Sequence, residues 1–433
     1  MAHEVLNPSD LPAGLDVVPV RDATAPEGLE FVHGDAAKPL ATPWQVAVER
    51  ALLLDEGRLP SGAVLDPACG SGVQLAALAA VLQRPAIGVE QDRSRALASA
   101  VNLAAVAAWY GAEGEPWFLE SRILVGDGTN AEGVLSAIGA PHVGLLQLDP
   151  ARPRNSRTHD LDEMAPSPAA VIDAWSAHLA HGPDGPAVLL DLSPRLLHAQ
   201  RLQIEAIVDA RIAGVGRTWV WGSRGGGRVD RLSLWVGGCS TAGVARRFLR
   251  YPADGGPPML LEGGRPLALG EDLPQSVRRP PRRGEHVTLL DAALLASGLA
   301  EEWLLTRLGE DAVFHWAEVE GRRPRVHHEM PLAVEGPASG LVQATGRVVA
   351  VVHQEPSEDS MDDLVALALE HDVARLTLRC ALPSELQPRL QGSLDRQLQR
   401  RHGRRPAFLC EAGHGANVHL LCVGSKPREG RDS

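Results

Sequence analysis

The sequence predicts an α/β protein in which a mainly parallel sheet, covered on both faces, is followed by a smaller α+β module. Three observations carry this. Short apolar runs alternate with longer helical segments between residues 63 and 237, the pattern of successive βαβ units. The last two runs, "RTWVWGS" (217–223) and "RLSLWVG" (231–237), are joined only by "RGGGRVD", which is too short for a crossover helix and makes them an antiparallel pair. Past residue 240 the alternation dissolves into Gly/Pro-rich text, and a second pattern starts near residue 286. A chain of 433 residues has room for more than one core, because single cores stop growing near ~250–300 residues.

Taken in order, residues 1–39 carry Pro, Gly and acids without a period and read as a loosely structured N-terminal lead-in. From Thr42, "TPWQVAVERALLLDEG" repeats apolar residues at helical spacing. Strands follow at 63–66, 86–90, 122–127, 142–149, 187–193, 217–223 and 231–237, with helices such as 94–110 and 198–213 between them, so that 40–240 form one domain. Residues 241–285, with "YPADGGPPM" and "RRPPRRGEH", read as a Gly/Pro/Arg-rich connection. In the α+β domain, 286–426, "TLLDAALLASGLAEEWLLTRLG" and "SELQPRLQGSLDRQLQRR" are helical and "GRVVAVVHQE", "VARLTLRC" and "ANVHLLCVG" are strands. The acidic run at 355–363 reads as a solvated loop entering a helix, and 427–433 as a disordered tail.

Composition narrows the function classes. A formal charge of −12 is against a uniformly basic surface, but local basic clusters can still hold phosphate. Three exist: Arg278, Arg279, Arg282 and Arg283; Arg322, Arg323 and Arg325; and Arg396, Arg400, Arg401, Arg404 and Arg405. Each is equally readable as a solvated face. The five cysteines are scattered without a CxxC pair, which signals neither a disulfide framework nor a zinc site. Every apolar run falls short of the ~18–20 residues that span a bilayer and no leader pattern opens the chain, so the expected setting is cytoplasmic, with no membrane and no metal.

The chemistry concentrates in "AVLDPACGSGVQLAALAA" (63–80). Ligands of open α/β sheets bind beyond the carboxyl ends of the strands, where a glycine-rich first turn lets the backbone come close. Gly70 and Gly72 suit such an approach, but a third glycine is missing, which disfavours a dinucleotide. Asp66, ending the first strand, repels a pyrophosphate and attracts an ammonium. Glu90, ending the second, is placed for a ribose diol, and Asp127, ending the third, for an adenine amino group. A cationic ligand with ribose and adenine and no phosphate meets all three requirements, and S-adenosylmethionine is such a ligand. The plain alternative makes these acids caps of their own turns.

At these residues the chain resembles the class I S-adenosylmethionine-dependent methyltransferases: "DPACGSG" looks like their motif I, "GVEQD" like motif II, "GDG" like motif III and "LDPARPR" like motif IV. The resemblance covers about 40–240 and implies a Rossmann-like seven-stranded methyltransferase sheet. It places S-adenosyl-L-methionine against Asp66, Pro67, Ala68, Gly70, Gly72, Glu90, Gln91, Gly126, Asp127 and Asp149. Asp149, Pro150 and Arg152 become the catalytic candidates: Asp149 to orient or deprotonate the acceptor, Pro150 to shape the loop, and Arg152, with Arg154 and Arg157, to anchor an acceptor phosphate. Against the motif of base-amine methylation, Ala151 replaces a proline and Arg152 an aromatic ring. The segment "LDLSPR" (190–195) lacks the cysteine of the carbon-methylating uridine enzymes, which excludes their covalent route.

Taken whole, the order of segments is similar to a family in which a methyltransferase domain precedes a THUMP-like domain, here 286–426. That resemblance implies RNA, tRNA or rRNA, as the partner by analogy, with the arginines of 278–283 and 396–405 as contacts. Trp44, Trp219, Trp221 and Trp235 are better placed in the core than in stacking on bases. Two further readings stay open: a catalytically silent RNA-binding or assembly protein, and a methyltransferase for a small molecule or a protein side chain.

Overall fold

The structure, a computed structural model, describes residues 3–12, 18–34, 42–152, 160–266, 273–277, 282–401, 403–413 and 418–424. The chain divides into two compact units, Met1–Gly222 with Arg231–Pro266 and Ser223–Asp230 with Leu267–Ser433.

The first unit opens with three short strands, β1 (Glu4–Leu6), β2 (Pro19–Val20) and β3 (Phe31–Val32), and helix α1 (Trp44–Leu52). The alternating part runs β4 (Ala63–Asp66), α2 (Val73–Leu82), β5 (Ala86–Glu90), α3 (Arg93–Tyr110), α4 (Pro116–Leu119), β6 (Arg122–Val125), α5 (Ala131–Ile138) and β7 (Val143–Leu148). It continues through α6 (Pro168–Trp175), β8 (Ala187–Leu192), α7 (His198–Asp209), β9 (Arg217–Ser223), β10 (Arg231–Gly237), β11 (Arg246–Arg250) and β12 (Met259–Gly263).

These strands form one mixed sheet in the order β1-β6-β5-β4-β7-β8-β10-β9-β11-β12. β6, β5, β4, β7 and β8 run parallel to one another, while β10 is antiparallel to both β8 and β9, as the short link between the last two predicted strands requires. β4, β5, β7 and β8 are buried at every position, so both sheet faces are covered. α1, α2 and α3 pack on the face that presents Val64, Leu145 and Leu189. α2, "VQLAALAAVL", has no polar stripe because nearly all of its residues are buried.

All seven predicted strands of this unit are present, but the sheet has ten. Residues 1–39 are not merely a lead-in: β1 pairs antiparallel with β6 at one edge, and Leu29, Phe31 and Val32 are buried. Within 241–285, expected to be a connection, β11 and β12 extend the other edge. Runs of two to five residues are too short to show a hydrophobic period, which is why these pieces escape a reading based on pattern.

The second unit contains β13 (His286–Leu290), α8 (Ala292–Ala296), α9 (Ala300–Leu308), β14 (Phe314–Glu318), β15 (Arg325–His328), β16 (Val342–Val352), α10 (Met361–Glu370), β17 (Val373–Leu378), α11 (Leu386–Gln399), β18 (Arg405–Glu411) and β19 (His419–Val423). Its sheet runs β14-β15-β13-β16-β19-β18-β17, with β17 and β18 the parallel pair. α10 and α11 bury Leu364, Leu390 and Leu394 against Leu376, Leu409 and Leu421. The α+β class is as expected. One correction concerns "TLL" at 288–290, expected to be helical: it lies in β13, and the helix starts only after Asp291, whose carboxylate accepts from the Ala293 N–H at 2.8 Å.

Candidate functional site

The strand order reverses at β4, whose neighbours are β5 and β7. That switch point is where an open α/β sheet binds its ligands. The chain leaves β4 at Asp66 and enters α2 through Gly70 and Gly72, both in the left-handed region at φ 54° and 70°, where glycine alone is at no disadvantage. A Cβ at Gly70 would meet nothing within 4 Å. At Gly72 it would stand 2.8 Å from the Ser99 Cβ on α3. Gly72 therefore serves the close packing of α3 on the turn.

Asp66 is buried, and its Oδ1 accepts from the Ala68 N–H at 3.0 Å. Burial pushes its carboxyl well above the usual range, and the nearby Asp149, Asp191 and Glu90 push the same way against the Ala68 hydrogen bond. Pro67 is buried, while Ala68 and Gly70 are half-buried.

Glu90, ending β5, does two things at once. Its Oε2 accepts from the Gly70 N–H at 3.1 Å and its Oε1 from the Asp92 N–H at 2.9 Å, with the Arg95 guanidinium 3.5 Å away. The acid expected to meet a ligand thus also ties the glycine turn of β4 to the start of α3. Each carboxylate oxygen can accept more than one bond, which leaves capacity for a diol. Gln91 beside it is exposed.

At the end of β6, the Gly126 N–H donates to the Glu90 carbonyl at 3.0 Å. Asp127 is exposed, and its Oδ1 accepts from the Thr129 N–H and hydroxyl at 2.9 and 2.8 Å. Those hydrogen bonds lower its pKa. Gly128 leaves no room for a side chain against the Pro67 carbonyl, which brings the turns after β4 and β6 together. The lead-in closes over the same turn. Asn102 on α3 exchanges hydrogen bonds with the Val32 backbone at 2.7 and 2.8 Å and donates to the Ser71 carbonyl at 2.7 Å. A cavity of about 220 Å3 lies there, lined by Val20, Asp22, Phe31, His33, Thr42 and Val73 among others.

Asp149 follows β7 with its side chain 30% exposed. Its Oδ1 lies 3.4 Å from Arg152 and its Oδ2 3.6 Å from Arg231. Arg152 also donates to the Leu192 carbonyl at 3.2 Å, so it is partly committed inside the site. Pro150 is buried, and Ala151 forms a two-way bridge with Ala165. Arg154 and Arg157 lie outside the described residues.

Pattern reading misses Arg50, Thr42, Gln74, Asp191 and Arg231. Asp191 in β8 is buried and takes both prongs of Arg50 at 2.8 Å, Gln74 at 2.9 Å and the Ser233 hydroxyl at 2.5 Å. Gln74 and Asp191 are polar residues in the otherwise apolar runs "VQLAALAA" and "AVLLDLS", a local signal that could have found these two.

Of the basic clusters, Arg325 is buried against Glu411 at 2.7 Å and Arg323 donates to the Cys380 carbonyl at 2.6 Å; both are structural. Arg404 pairs with Asp372 at 3.2 Å and Arg405 donates to the Gly424 carbonyl at 3.1 Å. Arg396, Arg400 and Arg401 are exposed and carry no ion pair among the described residues, as is the case for Arg282 and Arg283; Arg278 and Arg279 lie outside them. Trp44, Trp219, Trp221 and Trp235 are all buried, as expected. Among the described residues no group of three His, Cys, Asp or Glu side chains could hold a metal ion, and no helix is long and apolar enough to cross a membrane.

No protein-family model and no curated protein matches the chain. Solved structures do. A "putative methyltransferase" from Porphyromonas gingivalis W83 aligns over 89% of this chain and 82% of its own at 15% identity, with a TM-score of 0.52. The rRNA methyltransferase aviRa from Streptomyces viridochromogenes aligns over 50% of this chain and 92% of its own at 17% identity and TM-score 0.34. A T. Thermophilus 16S rRNA methyltransferase in complex with AdoMet and guanosine aligns over 53% and 51% at 15% identity and TM-score 0.33. The first of these likenesses shows that the chain has an α/β fold of the kind found in that methyltransferase structure.

Proposed function

We propose that this chain is a class I S-adenosylmethionine-dependent methyltransferase acting on RNA, tRNA or rRNA, by direct transfer, with a THUMP-like second unit that recruits the RNA. The observation that carries the reading is the Gly70 N–H held on Glu90 at the switch point, with Asp66, Asp127 and Asp149 on the same edge of the parallel strands. The residues fit the cofactor. Gly70 leaves its backbone open on the side a Cβ would fill, Glu90 keeps acceptor capacity for a diol, and the buried Asp66 would be favoured in its charged form by a cation. S-adenosylmethionine, when bound, supplies a methyl group on a sulfonium.

The residues of the chain do the rest. Asp149, partly exposed at the end of β7, accepts a hydrogen bond from the acceptor group and orients it, so that most of the acceleration comes from holding two reactants together. Pro150 shapes the loop, and Arg152 stands beside Asp149 to meet an acceptor phosphate. On the second unit, the exposed Arg396, Arg400 and Arg401 at the end of α11 form a phosphate-binding stripe.

Two measurements test this. Calorimetry with S-adenosylhomocysteine should show one site on the full chain. Nucleoside mass spectrometry should find one methylated nucleoside in cellular RNA that disappears when the gene is deleted and returns with it. Binding without any RNA difference would leave a catalytically silent RNA-binding protein or a methyltransferase for a small molecule or protein. Absence of binding would end the cofactor assignment.

A further inference from the structure

Asp149 does not stand alone, and the residue that holds it comes from β10, two strands along the sheet from β7. Arg231 opens β10, with its side chain 19% exposed. Its Nη1 lies 3.6 Å from Asp149 Oδ2 and 3.7 Å from Asp191 Oδ2. Its Nη2 donates to the Thr42 hydroxyl at 2.5 Å. Thr42 donates to Gln74 Oε1 at 2.8 Å, and Gln74 donates onward to Asp191 Oδ2 at 2.9 Å. Arg231, Thr42, Gln74 and Asp191 therefore close a ring of side chains, drawn from the segment before α1, from α2, from β8 and from β10.

We infer that Arg231 is a positioning residue: it fixes the Asp149 carboxylate at the acceptor side of the site by anchoring it to this ring. Asp191 cannot itself act on a substrate, because its oxygens are taken by Arg50, Gln74 and Ser233. What it supplies is a rigid, buried anion on which the guanidinium rests. The planar fork of Arg231 is the group in the ring that reaches outward to Asp149, and a guanidinium presents its donors in a fixed plane that an ammonium does not. Arg152 approaches the other Asp149 oxygen at 3.4 Å and reaches the sheet through the Leu192 carbonyl at 3.2 Å, but it is 30% exposed and belongs to the same loop as Asp149, whereas Arg231 is 19% exposed and lies against the buried Asp191.

The inference rests on the reading of Asp149 under the proposed function, and the test separates the two. Crystal structures of the full-length wild type, Arg231→Gln and Arg231→Lys should show the Asp149 carboxylate in one place in the wild type and displaced or spread over rotamers in Arg231→Gln, with Arg50 and Asp191 unmoved. In parallel, methyl transfer from radiolabelled S-adenosylmethionine to RNA from cells lacking the gene should fall about a hundredfold in Arg231→Gln, the scale expected for a misplaced group. KM for the cofactor should stay within about threefold, and Arg231→Lys should recover part of the rate. Arg231→Gln added to Asp149→Asn should cost little beyond Asp149→Asn alone, since one acts through the other. An Asp149 that keeps its place in Arg231→Gln, or losses that multiply in the double variant, overturns the inference. A wild type that methylates no RNA defeats the functional reading instead, and the crystal structures still decide the role of Arg231; should Arg231→Gln not fold, the Asp149 position in Arg231→Lys decides it.

Discussion

Arg50 on α1 and Asp191 on β8 meet fork to fork, with Nη1 on Oδ2 and Nη2 on Oδ1 both at 2.8 Å and the side chains 4% and 2% exposed. Burial alone would push the Asp191 carboxyl up, but the charges of Arg50 and Arg231 with the Arg50 and Gln74 hydrogen bonds hold it at about 2, below the ordinary 3.8. A lowered folded pKa contributes stability that is present above pH ~4 and is lost as pH falls toward 2, here on the order of 2 kcal/mol. Asp191→Asn should cost about 3–5 kcal/mol at neutral pH by leaving Arg50 buried without its counter-charge. Replacing both, Arg50→Met with Asp191→Leu, should cost less than either single change. Urea unfolding of the wild type, Arg50→Met, Asp191→Leu and the double variant measures this, and additive losses would deny the coupling.

Asp66 has the opposite sign. Burial, with Asp149, Asp191 and Glu90, raises its folded pKa well above the ordinary 3.8, so its contribution is favourable below pH ~4 and is lost as pH rises through the raised value. At neutral pH, Asp66→Asn should therefore raise the denaturation midpoint while weakening S-adenosylmethionine by roughly 1–3 kcal/mol, because a charged hydrogen bond is removed. Calorimetry and unfolding on one preparation show whether the two effects separate; affinity equal to wild type would remove Asp66 from the cofactor site.

Glu90→Ala deprives the Gly70 and Asp92 N–H groups of their acceptor at one stroke. The expected loss of cofactor affinity is about 1–3 kcal/mol, accompanied by faster amide exchange at Gly70. Unchanged exchange there would mean that the acid does not brace the turn.

Methyl transfer should proceed without a covalent RNA adduct. The segment after β8 reads Ser193-Pro194-Arg195, all five cysteines are buried, and burial raises the thiols of Cys69, Cys239, Cys380 and Cys422, which disfavours the thiolate nucleophile. A 5-fluoropyrimidine RNA should leave no complex stable on a denaturing gel. A persistent band would reverse this expectation.

RNA affinity should depend on Arg396, Arg400 and Arg401 and little on Arg404 and Arg405, which are held by Asp372 and the Gly424 carbonyl. Changing the first three to Gln should reduce the slope of log K against log salt by roughly 0.7–0.9 for each phosphate that is no longer neutralised. Equal slopes in filter binding over a salt series would shift the RNA to another surface.

The sequence by itself determined the α/β class, the seven alternating strands of the first unit, and the acids at successive strand ends, Asp66, Glu90, Asp127 and Asp149. Hydrophobic period and glycine placement are local properties, and each of those residues could be read from its own segment. Only the tertiary structure decided that three further strands widen the sheet, that Gly72 answers to Ser99 on α3, and that Glu90 closes on Gly70. It alone joined Arg50 to Asp191 across 141 residues and set Arg231 between Asp149 and Asp191. Such pairings leave no local pattern, because a buried ion pair is made by two strands or helices arriving at one place, and a polar residue in an apolar run shows only that some partner must be found for it.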